Sequence, residues 1–163
     1  MPNPEPNDGN PIRRVLFVCT GNTCRSPMAE AIARQQWQES GLPAGGLVVT
    51  SAGLAAGEGQ PMTPEAEAAL RTLGYEPGGH RSRGLTLEDI ELADVVFGMT
   101  NSHVKTLRDA LPADAGKFHT LDPSGEDVPD PFGASAAVYD QTCRRLVELV
   151  RLRLEAGAER SHQ

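Results

Sequence analysis

The sequence predicts a single α/β domain built on a parallel sheet. Three observations carry this: β-forming runs alternate with amphipathic helical stretches, the first run feeds straight into a glycine-bearing loop, and 163 residues suit one core of ordinary size. No internal repeat or low-complexity block argues for a second domain. The domain is expected over residues 12–156, with a Pro- and Asn-rich tail at 1–11 and a second tail at 157–163, where the apolar period fades.

Strands are expected at Ile12–Cys19, Leu47–Ala52, Val95–Met99 and Lys117–Leu121. The first, rich in Val, Leu and Phe, reads as buried on both faces and delivers Cys19 to its carboxyl end, where parallel sheets bind ligands. In the loop that follows, Gly21 permits a tight turn, and Ser26-Pro27 reads as an N-cap and first-turn pair opening a helix. Thr63-Pro64 caps the next helix, whose stripe is Ala66, Ala69, Leu70 and Leu73, closed by Gly74. Thr86 with Asp89 forms a capping-box pattern. Thr100 opens a helix that turns Val104, Leu107 and Leu111 inward and stops at Pro112. Asp122–Gly133 is a Pro- and Gly-rich loop long enough to arch over a site. The longest helix follows, with the stripe Tyr139, Cys143, Leu146, Val147, Val150 and Leu154.

Charge and cysteine usage narrow the function. A net charge of −7 gives no general basic field for nucleic acid or an anionic membrane, so any phosphate affinity must be local. The longest apolar run, Val15–Cys19, is too short to span a membrane, and the chain lacks a basic leader; a cytoplasmic location is expected. Three cysteines, two of them in one loop, suit reactive thiols in a reduced compartment better than a disulfide framework. His103, His119 and His162 have no spacing with carboxylates or cysteines that suggests a metal site, and Cys24 lacks the further Cys/His pair that zinc would need.

The loop itself reads as an anion site. Successive amides at a helix start form a concave pocket for an oxyanion and favour a thiolate at its floor. Arg25 adds a planar fork suited to two phosphate oxygens, and the Ser26 hydroxyl can donate to the Cys19 sulfur. Phosphoryl transfer to a thiolate also requires a proton for the leaving group. Asp130, stiffened by Pro129 and Pro131, is the candidate acid, with Asp127 as the alternative; an isolated Asp-Pro is by itself more often a turn.

Cys19-Thr20-Gly21-Asn22-Thr23-Cys24-Arg25-Ser26-Pro27 resembles the Cys-x5-Arg-Ser signature of the low-molecular-weight protein-tyrosine phosphatases, and Asp130-Pro131-Phe132-Gly133 resembles their acid loop. The resemblance spans about residues 12–155, with both motifs in the family's order and separation. It implies a flavodoxin-like sheet of four parallel strands in the order 2-1-3-4, a cysteinyl-phosphate on Cys19, and Asp130 as acid and then base. It also implies phosphate binding by residues Thr20 to Ser26, a brace made by Asn22 with Ser51 and His80, no cofactor, and a phosphorylated protein as partner. The chain would act as a monomer or weak dimer. Without the resemblance His80 could be a solvated loop histidine. In the family, the residue matching Cys24 can form a disulfide with the nucleophile, which would shield Cys19 from irreversible oxidation; Cys143, on an apolar stripe, is expected in the core.

Against the tyrosine-directed members the chain departs in three places. Leu54-Ala55-Ala56-Gly57-Glu58 has no aromatic residue, Phe132-Gly133 replaces a pair of tyrosines, and Thr23 stands where isoleucine is common. Stacking surface for a phenyl ring is therefore thin. Thr20, Thr23 and Met99-Thr100 resemble the protein arginine phosphatases of the same family, and the rim hydroxyl of Thr23 suits a guanidinium better than a flat ring. Thr23, Leu54 and Phe132 are thus the expected specificity residues. Phosphotyrosine remains the alternative substrate. An arsenate reductase would need further redox cysteines in a later mobile segment, where only Cys143 remains; a binding or redox-sensing module would not need Asp130 and Ser26.

Overall fold

The computed structural model describes residues 14–42 and 45–160, the side chains of 158–160 excepted. The expected tail at 1–11 and the start of the first expected strand lie outside the described residues.

Four parallel strands form one sheet in the order β2-β1-β3-β4: β1 Arg14–Cys19, β2 Val48–Gly53, β3 Val95–Gly98 and β4 Phe118–Thr120. The helices are α1 Arg25–Glu39, α2 Pro64–Thr72, α3 Leu87–Leu92, α4 Asn101–Ala110 and α5 Ala136–Arg160, with a 3-10 turn at Pro112–Lys117. β1 lies centrally, with Leu16 opposite Thr50 on one side and Val96 on the other.

Alternation along β1 divides the core in two. Val15, Phe17 and Cys19 join Val95, Phe97 and residues of α1, α2 and α5, whereas Leu16 and Val18 join Val96, Ala52 and residues of α3 and α4. Both faces are covered, which is why the strand lacks polar alternation. Phe17 and Phe97 stack with centroids 6.0 Å apart, and the Arg153 guanidinium lies 4.8 Å from the Phe97 centroid.

The capping residues Thr63, Thr86 and Thr100 take their expected places, each accepting a backbone N–H at the third helical residue. Two expectations at helix ends differ. The first helix begins at Arg25, so Ser26 lies inside its first turn and caps nothing; Cys24 stands at the cap with no side-chain bond. α5 continues through Arg160, past the fading of the apolar stripe at Gly157. Arg151 pairs with Glu148 and Glu155 one turn either side, which supports exposed helix where packing no longer does.

Candidate active site

The five residues joining Cys19 to α1 follow it at the carboxyl end of β1. Cys19 is 2% exposed. The loop approaches the end of β2 closely: Leu54 N–H donates to Cys19 O at 3.0 Å and Ala55 N–H to Thr20 O at 2.9 Å. Only glycine fits at Gly53, since a Cβ there would lie 2.6 Å from Thr20 O. The turn expected at Gly21 is made by its neighbour, because the left-handed residue is Asn22 with φ 56°. Asparagine tolerates that conformation better than other side-chain-bearing residues, and it aims the Asn22 N–H at Cys19 Sγ, 3.3 Å away.

Bond directions around Asn22 follow from one fixed donor. Arg83 N–H donates to Asn22 Oδ1 at 3.0 Å, so the amide nitrogen faces the other way and donates to Ser26 Oγ at 2.9 Å and Ser51 Oγ at 3.0 Å. The Ser26 proton is then free to point at Cys19 Sγ, 2.8 Å away. His80 Nε2–H donates to the Asn22 carbonyl at 2.7 Å, and its other nitrogen lies 3.9 Å from Glu30. Burial pushes His80 below its ordinary range and the Glu30 carboxyl above its own. Asn22, Ser26, Ser51 and His80 thus meet in one network.

Arg25 is 4% exposed, and its guanidinium faces three ways. Nη1 donates to Val128 O at 2.9 Å, Nη2 lies 3.7 Å from Asp130 Oδ2, and the buried Nε has no partner among the described residues. An orphaned buried donor costs about 1–3 kcal/mol, so the Nε/Nη2 edge is where an acceptor belongs. That edge matches two oxygens of a tetrahedral oxyanion.

The loop from Asp122 to Gly133 is anchored before it reaches Asp130. Val128 N–H donates to Met99 O at 2.8 Å, and Asp127 Oδ1 accepts from the backbone and side-chain nitrogens of Asn101 at 2.8 and 2.9 Å. Those bonds tie Asp127 to the start of α4 and hold its carboxyl below its ordinary range. Asp130 is half-exposed. Its Oδ1 accepts from Phe132 N–H at 3.1 Å while Oδ2 faces Arg25.

The expected specificity residues are disposed unequally. Thr23 is half-buried in the loop, Phe132 is 70% exposed, and Leu54 is half-buried and packs against the α3–α4 core. Cys24 is buried, with its sulfur 3.5 Å from both Tyr139 Oη and Thr63 Oγ1. Burial pushes the Tyr139 hydroxyl up to about 12 and the Cys143 thiol up to about 11, and Cys143 lies wholly in the core. Sequence reading missed His103, buried behind Thr20, and Tyr139 as a partner of Cys24. A local signal existed for the first, since Thr100-x-x-His103 has capping-box spacing.

A thiol held by amide, serine and helix start, beside an arginine edge with an unmet donor and a carboxylate, is an arrangement for moving a phosphoryl group. Known proteins are similar to the chain across most of their length. A protein named protein-arginine-phosphatase from Bacillus subtilis is 40% identical over 144 residues, covering 84% of this chain and 91% of that protein. A low molecular weight protein-tyrosine-phosphatase from Streptomyces coelicolor is 37% identical over 146 residues, covering 83% and 87%. Among solved structures, the YwlE arginine phosphatase with a phosphorylated active-site serine superposes with a TM-score of 0.81 at 37% identity, covering 88% of this chain and 94% of that one. A low molecular weight protein tyrosine phosphatase from T. tengcongensis gives 0.83 at 38% identity, covering 88% and 99%. Residues 14–160 match the family as a whole, and the chain therefore belongs to the low molecular weight phosphotyrosine protein phosphatases.

Proposed function

We propose that this phosphatase removes phosphoryl groups from arginine side chains of proteins through a phosphocysteine at Cys19. The Cys19 thiolate attacks phosphorus, the P–N bond breaks, and the departing guanidine nitrogen takes a proton from Asp130. In the second half the Asp130 carboxylate takes a proton from water, the water oxygen bonds to phosphorus, the S–P bond breaks, and phosphate leaves. Loop amides from Thr20 to Ser26 and the Nε/Nη2 edge of Arg25 hold the phosphoryl oxygens throughout, and the Ser26 hydroxyl receives the returning thiolate.

One observation supports arginine above tyrosine: the anion loop carries a threonine hydroxyl at Thr23, and residues 54–58 beside it hold no aromatic side chain. A guanidinium also offers N–H donors to the carboxyl oxygen of Asp130 that does not carry the proton, which aligns the acid with the leaving nitrogen in a way a phenol does not. Relatives named for phosphoarginine at 40% and 42% identity support the same reading. Phosphotyrosine is the second reading, favoured by the exposed ring of Phe132 and by the family's name. Burial of Cys143 in α5 speaks against a reductase that passes a disulfide along the chain. A cytoplasmic monomer or weak dimer acting on phosphoproteins is part of the same proposal; no helix among the described residues is long and apolar enough to cross a membrane. A Cys19–Cys24 disulfide as redox protection belongs to the same proposal.

Steady-state kinetics on matched phosphoarginine and phosphotyrosine peptides tests it. Phosphoarginine should be preferred, and Thr23→Ile should move the ratio toward phosphotyrosine by roughly ten- to two-hundred-fold, the range for one group in a pocket. A parent enzyme that prefers phosphotyrosine, with no shift on substitution, overturns the arginine reading.

A further inference from the structure

We propose that His103 is a positioning residue that turns the Thr20 hydroxyl into a hydrogen-bond donor toward a phosphoryl oxygen. His103 stands at the third position of α4, 6% exposed, with its Cβ side against Gly98 at the end of β3. A Cβ on Gly98 would come within 3.1 Å of His103 Cβ, so the glycine sets how close the ring lies to the sheet. Both ring nitrogens are used. Nδ1 accepts the Thr100 backbone N–H at 3.2 Å, so it carries no proton, and the proton of the neutral ring must sit on Nε2. Nε2–H therefore donates to Thr20 Oγ1 at 2.9 Å.

That direction has a consequence for Thr20. Its oxygen already accepts, so its own proton is directed elsewhere, and His103 is its hydrogen-bond partner among the described residues. Thr20 is exposed and directly follows Cys19 in the anion loop, and its partner His103 lies within electrostatic reach of Arg25 and Asp130, so the proposed direction of that proton is over the anion site. A protonated imidazolium would present an N–H to the Thr100 N–H and break the cap; burial and the nearby Arg25 guanidinium both oppose it, holding His103 down at about 4. The donor is thus fixed across the working pH range. A hydroxyl donor has no acceptor on a guanidinium, so its partner is a phosphoryl oxygen. The effect should then appear with any phosphorylated substrate and with inorganic phosphate itself, whichever side chain the enzyme prefers.

The test reads the inhibition constant of inorganic phosphate, together with KM and kcat on a phosphoarginine peptide. Thr20→Val, an isosteric change at an exposed position, should weaken phosphate binding ~10-fold, the loss of one hydrogen bond to a charged group, and Thr20→Ser should restore it. His103→Leu should match Thr20→Val, and the double variant should lose no more than either alone, because both remove the same bond. His103→Gln should retain binding to within about threefold, since a third-position glutamine can accept from Thr100 N–H and still offer an N–H to Thr20. If His103→Leu does not fold, Thr20→Val with Thr20→Ser and His103→Gln still decide the matter. Unchanged phosphate affinity in Thr20→Val, multiplying losses in the double variant, or an equal loss in His103→Gln and His103→Leu would each overturn the proposal. Because the deciding readout is the affinity for inorganic phosphate, which can be measured against any phosphorylated substrate, a preference for phosphotyrosine would leave this result readable.

Discussion

The Asn22 side-chain amide donates to Ser26 Oγ at 2.9 Å, and that bond sets the direction of the next one, from Ser26 to Cys19 Sγ. A serine that already accepts from nitrogen gives its own proton to sulfur, which stabilises the thiolate as a leaving group. Ser26→Ala should therefore slow breakdown of the phosphoenzyme by roughly 10- to 100-fold, the loss of one bond to a charged group, while its formation slows less. A pre-steady-state burst of leaving group that is sharper than in the parent would be the sign. Equal slowing of both steps would make Ser26 a packing residue.

Asp127 and Asp130, both in the loop from Asp122 to Gly133, should separate cleanly in a leaving-group series. Asp130→Ala should slow substrates with poor leaving groups by ~10²- to 10⁴-fold and those with good leaving groups far less, because only the former need a proton in the transition state. Asp127→Ala removes the tie to Asn101 and should lower activity without changing the dependence on leaving group. Reversal of the two patterns would move the acid to Asp127.

Oxidation should be reversible only while Cys24 is present. Mild peroxide followed by thiol reductant should restore the parent, whereas Cys24→Ser should remain largely inactive after the same treatment. Tyr139→Phe, which removes a hydroxyl 3.5 Å from Cys24 Sγ, should change the rate of recovery and not its extent. Full recovery of Cys24→Ser would reduce Cys24 to packing.

Acidification should weaken the fold through His103. Its folded value of about 4 lies below the ordinary 6.5, so between those limits the unfolded chain binds more protons and stability falls as pH falls. The loss is on the order of 3 kcal/mol when complete. Arg25 opposes protonation of the ring, while Asp127 and Asp130 favour it. Urea midpoints at pH 7 and pH 4.5 should diverge less in His103→Gln than in the parent; equal divergence would assign the acid sensitivity to other groups.

Strands and caps were legible because their signals are local. A run such as Val15-Leu16-Phe17-Val18 has no polar alternation since helices cover both faces, and Thr63, Thr86 and Thr100 each bond within their own first turn. The anion loop was legible because Cys19, Arg25 and Ser26 lie within eight residues. Ser26 was misread as a cap since Ser-Pro has cap chemistry, but the left-handed Asn22 shortens the loop, starts the helix at Arg25 and hands the serine to the sulfur. His103 stayed hidden because its partner Thr20 is 83 residues away, and no spacing rule spans that gap.

Trapping the covalent intermediate tests the central claim most directly. Parent enzyme mixed with a phosphoarginine-bearing protein, quenched by denaturation within milliseconds and mapped by peptide mass, should carry one phosphoryl group on Cys19, and Cys19→Ala should carry none. Arginine dephosphorylation with no phosphoryl group on the chain, or with the group on another residue, would contradict the account.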